Sequence, residues 1–258
     1  MVVSIQFNKV MIWNEEGVGV IAINNRDENA LDMDVLAQIT TALTIANNDN
    51  NINWIVLTGT GTSFLTAGIP WDSIAPNYVT IKELVRGVKA LVSVISVLDK
   101  PVITILNGSA LGLGMELALI SDLVIAPPDV YMCYPEGSVG IPMPLGSRVL
   151  IDRLPRYKAI SVLTGDPLTA DEAAKYGIVH MVNRENLFGD AKVLIRGLRI
   201  SPSIRHQLSD WVRSSVDTID SSYLDAVSSV LLDQGRREEL IKTVRNARLR
   251  CRSKYKGV

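Results

Sequence analysis

The chain has 258 residues, 47% hydrophobic, 21% charged and 5% aromatic, and its 26 basic residues nearly balance its 27 acidic ones. This length is typical of one domain with a large core that needs no disulfides, and the balanced charge argues against an electrostatic nucleic-acid binder. The mean hydropathy is high at +0.21, but the longest uncharged segment, 50–71, contains Gly, Asn, Thr and Pro, so we expect a large core or a buried subunit interface and no membrane span.

The N-terminal segment predicts a hairpin followed by a helix. Residues 5–12 alternate loosely and residues 18–24 are rich in β-branched side chains, with the turn-like segment 15–17 between them. Asp32 begins a helical pattern, which ends at the cluster of Asn and Asp at 47–50.

The next segments alternate strand and helix patterns. Short apolar segments at 54–58, 101–106 and 123–126 predict buried strands, and residues 81–98 predict an amphipathic helix. The segment 63–70 is interpreted as a loop. This order of elements is typical of a layered α/β domain with mostly parallel strands.

The last part of the chain is predicted to be helical. Residues 169–176 predict a short helix before Gly177, and no strand pattern follows residue 200. Residues 204–208 and 220–249 are charged and helical in pattern. We therefore predict two parts: a core over 1–198, and a helical region over 199–258 for capping and oligomer contacts.

Cysteine usage and the N-terminus indicate the compartment. Cys133 and Cys251 are far apart and have no metal-ligand neighbours, so neither a disulfide framework nor a metal site is predicted. Residues 1–10 lack the basic start, long apolar stretch and cleavage site of a signal peptide. We expect a reduced, cytoplasmic protein.

A glycine-rich segment, 107–122, joins a predicted strand to a predicted helix. Gly108, Gly112 and Gly114 allow close backbone approach there, and a helix N-terminus offers free N–H groups to an anion or a polarised oxygen. The same pattern is typical of an ordinary tight turn. It matches neither the dinucleotide-binding fingerprint nor the P-loop.

Two glutamates flank the strand that follows. Glu116 begins the apolar run 117–120, which would carry it into the interior, where a carboxylate is costly without a partner. If exposed, it would only stabilise the helix N-terminus. Glu136 lies between Pro135 and Gly137 in a predicted loop, where a lone glutamate is usually solvated. Together the two carboxylates could perform general acid–base catalysis.

These residues resemble the crotonase (enoyl-CoA hydratase/isomerase) superfamily over almost the whole chain. The similar segments, in the family's order, are Gly19–Asn24, Asn29–Leu31, Ser63–Ile69, Lys100–Asp122 and Thr164–Val179. The resemblance implies an α/β fold with a crotonase-type ββα spiral core and a C-terminal helical trimerisation region. It also implies a homotrimer, or a hexamer made of two trimers.

The resemblance further implies an enoyl-CoA hydratase, which adds water across the double bond of a trans-2-enoyl-CoA. The backbone N–H groups of Ile69 and Leu113 would form an oxyanion hole for the thioester oxygen. Glu116 would activate water, and Glu136 would supply or remove the α-proton. No cofactor is implied, because coenzyme A is part of the substrate. The other implied substrate- or coenzyme-binding residues are Asn29, Ala30, Leu31, Ala67, Gly68, Trp71, Gly112 and Gly140.

Several positions depart from the family pattern. Leu113 replaces a common glycine, and Pro70 and Trp71 replace the residues that usually follow the first oxyanion donor. Pro142 and Pro144 stiffen a stretch that is usually rich in glycine. These changes concern the acyl pocket more than the reaction. Lys254 and Lys256 are candidates for contacts with the phosphates of the coenzyme.

Three other functions remain open. One is a Δ3,Δ2-enoyl-CoA isomerase, in which Glu136 alone would move the proton. Another is a non-catalytic acyl-CoA-binding protein, against which the two glutamates argue. A Ser-His-Asp hydrolase is disfavoured because no Gly-x-Ser-x-Gly elbow is present. His180 is expected to be a core histidine, and His206 lies on a polar helix.

Overall fold

The computed structural model describes residues 4–198 and 200–252. Strands and helices are numbered separately along the chain. The strands are β1 (Ser4–Gln6), β2 (Val10–Glu15), β3 (Val18–Ile23), β4 (Trp54–Gly59), β5 (Phe64–Thr66), β6 (Val102–Ile105), β7 (Ser109–Leu111), β8 (Leu123–Ala126), β9 (Tyr131–Cys133), β10 (Leu168–Thr169) and β11 (His180–Met181). The α-helices are α1 (Met33–Asn48), α2 (Tyr78–Val97), α3 (Leu113–Leu119), α4 (Ser147–Arg153), α5 (Arg156–Leu163), α6 (Ala170–Lys175), α7 (Leu187–Gly197), α8 (Pro202–Val216), α9 (Ser221–Leu231) and α10 (Gln234–Cys251).

The strands form two sheets. The larger sheet has the order β1-β2-β3-β4-β6-β8-β11. Its first three strands pair antiparallel and the later ones pair parallel. The smaller sheet has the order β10-β9-β7-β5, in which β7 runs parallel to both of its neighbours. The predicted α/β class with mostly parallel strands is therefore confirmed.

Local signals placed several elements correctly. The Asp32 side chain accepts a hydrogen bond from the Val35 N–H at 3.0 Å, which caps α1 at the predicted residue. The predicted hairpin is formed by β2 and β3, but residues 5–12 divide between β1 and β2. α2 begins at Tyr78, three residues before the prediction, because Asn77 caps it.

The helical pattern over 220–249 is confirmed and forms two helices, since Asp233 accepts a hydrogen bond from the Arg236 N–H and begins α10 anew. Two other predictions were wrong. Residues 64–66, within the predicted loop, form β5, because a three-residue strand is too short for a recognisable period. His180 is exposed on the edge strand β11, which pairs only with β8 in the sheet, so it is not a core histidine.

The smaller sheet explains where the candidate site lies. Leu111 at the end of β7 pairs with Cys133 at the end of β9, and β5 runs parallel to β7. Because neighbouring parallel strands end at the same edge of a sheet, the segments that follow these three strands leave together. Those segments are 67–73, 112–119 and 134–140, and they carry Ile69, Glu116 and Glu136.

The C-terminal helices cover this edge. α8 and α9 pack on α2, and α10 packs on the 3-10 helix Pro135–Val139 and on the one at Trp71–Ser73. The division of the chain at 198/199 stays a prediction. No helix within the described ranges is both long and apolar enough to cross a membrane.

Candidate active site

The junction between β7 and α3 is built around a glycine. Gly112 has a φ of +53°, a conformation that L side chains rarely adopt. A Cβ at this position would also lie 2.3 Å from the Oε1 atom of Glu136. Both the backbone conformation and the close approach of the carboxylate therefore require glycine here.

The two predicted oxyanion donors lie on loops that touch. A Cβ on Gly68 would lie 2.7 Å from the carbonyl oxygen of Leu111, so the backbones on either side of these residues are in close contact. Ile69 follows Gly68, and Leu113 is the first residue of α3. Within the described residues, neither the Ile69 N–H nor the Leu113 N–H donates to another protein group. Both donors are therefore available to a ligand oxygen.

Glu116 is buried, with 2% of its surface exposed. Its Oε2 accepts hydrogen bonds from the backbone N–H groups of Leu145 at 2.7 Å and of Gly146 at 3.4 Å. The pKa of Glu116 is raised to about 8, because burial and the charge of Glu136 raise it by more than the two N–H donors lower it. The carboxyl group is thus held in one orientation with a pKa close to neutral.

Glu136 is equally buried and lies in the 3-10 helix Pro135–Val139 rather than in a solvated loop. Its Oε1 accepts a hydrogen bond from the indole N–H of Trp71 at 3.0 Å. Its Oε2 is buried and has no hydrogen-bond partner among the described residues. Burial raises the pKa of Glu136, while the Trp71 bond and the charge of Arg248 lower it.

One part of the main apolar core, here called the apolar wall, includes neighbours of the two glutamates in the chain. It contains side chains from the loops and from α3, and side chains from α9 and α10 join the same cluster. The residues are Ile69, Trp71, Leu113, Leu117, Val139, Ile141, Tyr223, Val227, Val230, Leu231, Leu240 and Val244.

A charged groove of about 560 Å³ begins beside this wall. The lining residues are Lys9, Asn25, Arg26, Glu28, Ala30, Asp32, Pro70, Asp72, Ser73, Arg248 and Arg252. Lys9 pairs with Asp32, and Arg248 pairs with Glu28. Within the described ranges Arg26 and Arg252 have no carboxylate partner and Asp72 has no basic partner, so the lining carries four basic and three acidic side chains.

The other predicted binding residues divide into two groups. Ala30 lines the groove. The Leu31 N–H donates to the Gly68 carbonyl and the Ala67 N–H to the Glu28 carbonyl, each at 2.9 Å, so these residues join the two loops through their backbones. The buried Asn29 amide donates to the carbonyls of Thr60 and Phe64 and serves the loop structure.

The last predicted positions lie away from the groove or outside the described residues. A Cβ on Gly140 would lie 3.2 Å from Arg236 Nη2, so this glycine faces α10 rather than the groove. Lys254 and Lys256 lie outside the described residues.

Comparison with known proteins identifies the family. Residues 14–245 match the family described as Enoyl-CoA hydratase/isomerase. The chain belongs to this family. It is 28% identical over 243 residues to a crotonyl-CoA hydratase of Syntrophomonas wolfei, covering 90% of this chain and 93% of that protein. It is 29% identical over 181 residues to a carnitinyl-CoA dehydratase of Salmonella agona, covering 69% of each.

Solved structures of the family share the fold. An enoyl-CoA hydratase/isomerase from Mycobacterium paratuberculosis has a TM-score of 0.78 at 20% identity, covering 91% of this chain and 98% of that one. One from Xanthobacter autotrophicus Py2 has a TM-score of 0.77 at 22% identity, covering 95% and 96%. The crotonase fold expected from the sequence is therefore confirmed.

Sequence reasoning missed one contact between predicted residues of this crotonase-family site, and it missed two arginines. The Trp71–Glu136 hydrogen bond joins residues 65 positions apart, and no local pattern predicts it. The sequence does contain a pattern that could have identified Arg248 and Arg252. They lie four residues apart in the basic segment 245–256, so on a helix they lie on the same face. In the described part of the chain, no cluster of three or more His, Cys, Asp or Glu could hold a metal ion.

Proposed function

We propose that this family member is an enoyl-CoA hydratase that adds water to a trans-2-enoyl-CoA. One observation carries the proposal: two buried glutamates, each 2% exposed, lie close enough for the charge of Glu136 to raise the pKa of Glu116, and Glu136 also approaches Gly112 at the start of α3. Their charges act on each other, and the pKa of both is raised by burial. Two carboxyl groups with raised pKa values are suited to general acid–base catalysis.

The thioester oxygen would bind the two free backbone donors. The N–H groups of Ile69 and Leu113 would stabilise the negative charge that develops on this oxygen as the enolate forms. The Leu113 N–H also belongs to the first turn of α3, where backbone N–H groups carry partial positive charge. Leu113 in place of glycine does not prevent this, because the required positive φ lies at Gly112.

The two carboxyl groups would then divide the proton transfers. Glu116, held by Leu145 and Gly146, orients a water molecule and, in the ionised form that is increasingly populated as pH approaches about 8, accepts its proton while the oxygen attacks the β-carbon. Glu136, in its protonated form, gives its proton to the α-carbon of the enolate. Glu116 gains one proton from water while Glu136 loses one to carbon, so the pair holds one proton before and after the reaction. Transfer of this proton from Glu116 to Glu136 restores the starting state.

The charged groove would hold the coenzyme. Arg26 and Arg252, which have no carboxylate partner among the described residues, would bind phosphate groups away from Asp72, and the groove reaches the site through Pro70, the residue after Ile69. The chain therefore binds a negatively charged coenzyme through a local cluster although its net charge is −1.

The test is loss of enoyl absorbance with short, medium and branched trans-2-enoyl-CoA thioesters. We expect turnover of at least one, and a decrease of about 10²- to 10⁴-fold for Glu116→Gln and for Glu136→Gln. Glu239→Gln, on the exposed face of α10, is the matched control and keeps full activity. Full activity of Glu116→Gln would contradict the two-glutamate mechanism.

One observation favours Δ3,Δ2-enoyl-CoA isomerase as a second candidate. Within the described ranges Oε2 of Glu136 is buried without a partner, whereas Oε2 of Glu116 accepts hydrogen bonds from two N–H donors. In an isomerase, Glu136 would remove the α-proton and return it to the γ-carbon. A 3-enoyl-CoA would then be converted by Glu116→Ala but not by Glu136→Ala.

A further inference from the structure

Trp71 differs from the other tryptophans in the described residues in what it contacts. Its side chain is 3% exposed and packs in the same apolar cluster as Ile69 and Leu113. Its indole N–H is a donor only, and it points at Oε1 of Glu136 at 3.0 Å. Trp13, Trp54 and Trp211 are partly buried and pack at the edges of other parts of the core.

The hydrogen bond leaves the two oxygens of Glu136 in different environments. Oε1 is fixed between the indole N–H and the backbone of Gly112. Oε2 is buried and has no partner within the described ranges. A carboxylate fixed through one oxygen presents the other in one direction, which is what proton transfer to a carbon atom requires.

We propose that Trp71 is a positioning residue for Glu136, fixing Oε1 through its indole N–H so that Oε2 faces the α-carbon of the substrate. The inference rests on the proposed function for its catalytic consequence, but the hydrogen bond itself can be tested without turnover. Trp71 does not touch the reacting atoms in this scheme. It acts through the orientation and ionisation of Glu136.

Other titratable groups around Glu136 stay in place when Trp71 is changed. They come from α3, β9 and the residue after it, α9 and α10: Glu116, Cys133, Tyr134, Tyr223 and Arg248. Glu116, Cys133 and the tyrosines are neutral or repel a charge on Glu136. Arg248 attracts it. Removal of the indole N–H therefore takes away a hydrogen bond to Glu136 without adding or removing a charge near it.

Trp71→Phe is the sharpest variant, because phenylalanine keeps an aromatic ring and loses the donor. We expect kcat to fall roughly 10- to 100-fold with little change in KM, the effect of losing a hydrogen bond to a charged group. Because the Trp71 bond lowers the pKa of Glu136, we also expect the pH profile of kcat/KM to move toward higher pH. Trp54→Phe, on β4, is the matched control and should change neither kcat nor the pH profile of kcat/KM.

Thermal unfolding separates this inference from the proposed function. Trp71→Phe should unfold at a lower temperature than the wild type, and this deficit in Tm should increase as pH rises. The reason is that the lost hydrogen bond stabilises the ionised form of Glu136 more than the protonated form. In a Glu136→Gln background this increase should disappear. A deficit that is the same at every pH would show a packing role only and overturn the inference. If the wild type hydrates no enoyl-CoA but Trp71→Phe still shows the pH-dependent deficit in Tm, only the proposed function is overturned.

Discussion

Glu116 and Glu136 are the same residue type with the same burial, and they differ in what holds them. Glu116 accepts two hydrogen bonds from backbone donors, which side-chain substitutions nearby do not remove. Glu136 accepts one from a side chain and approaches a glycine. In the proposed mechanism these partners divide the roles: Glu116 would be a fixed base that orients water, and Glu136 an acid whose free oxygen faces the α-carbon.

Burial of Glu116 lowers the free energy of unfolding as pH rises, which is the opposite of the usual effect of a carboxyl group in a folded protein. The pKa of Glu116 is raised from 4.5 to about 8, so the folded protein binds a proton that the unfolded chain releases. The stabilisation that comes from this proton is fully present below pH 4.5 and is lost as pH rises to about 8. We expect Glu116→Gln to lose less stability than the wild type between pH 5 and 9, by a few kcal/mol.

The measurement is urea unfolding of both proteins at several pH values. Glu239→Gln, with its exposed side chain, should follow the wild type throughout. A constant difference between wild type and Glu116→Gln would mean that Glu116 is ionised in the folded protein over the whole range.

At the scale of elements, the β7–α3 junction depends on one glycine. Gly112→Ala would place a methyl group 2.3 Å from Oε1 of Glu136 at a positive φ. We expect about 1–3 kcal/mol of destabilisation from strain and at least about a tenfold loss of activity from displacement of Glu136. Gly177→Ala has a similar positive φ with no atom within 4 Å, so it should lose stability and keep activity.

α10 connects the loops of the site. Arg236 donates to the carbonyl of Val139, Arg237 to those of Asp72 and Ile74, and Arg248 to that of Ile69. One helix thus holds the segment of the first oxyanion donor and the segment of Glu136. The C-terminal region serves the site as well as covering the core.

The end of α10 also supplies charge to the groove. Arg252→Gln should raise KM for an enoyl-CoA severalfold, with a smaller effect at high salt, because a phosphate contact is lost. The matching enoyl-pantetheine thioester lacks the nucleotide phosphates, so its KM should not change. Arg245→Gln, exposed on the same helix, is the control. Equal effects on both thioesters would place the phosphates elsewhere.

At the scale of the whole molecule, the exposed apolar residues favour self-association. Ile151 is 60% exposed, Tyr157 85% and Ile160 52%, all on α4 and α5. Contiguous exposed apolar side chains are typical of interaction surfaces. We expect light scattering after size-exclusion chromatography to give three or six times the chain mass of 28.2 kDa. A monomer at micromolar concentration would contradict this expectation.

The sequence by itself determined the fold class, the family and many local elements. Asp32 begins α1 because its side chain accepts a neighbouring N–H, and the apolar segments 54–58 and 123–126 form strands where they were predicted. These features depend on contacts within a few residues or on a period that repeats along the chain. Glu116 could be singled out for a similar reason, as a carboxylate leading into an apolar helix.

The tertiary structure decided what the site residues touch. The sequence favours a solvated loop for Glu136, yet the residue is buried against Trp71, 65 positions away, and Arg248 reaches Ile69 across 179 positions. Nothing in the residues adjacent to any of these four specifies its partner. The partners meet because the strands β5, β7 and β9 end at one edge of a sheet and α10 packs over that edge, an arrangement set by burial of apolar surface along the whole chain.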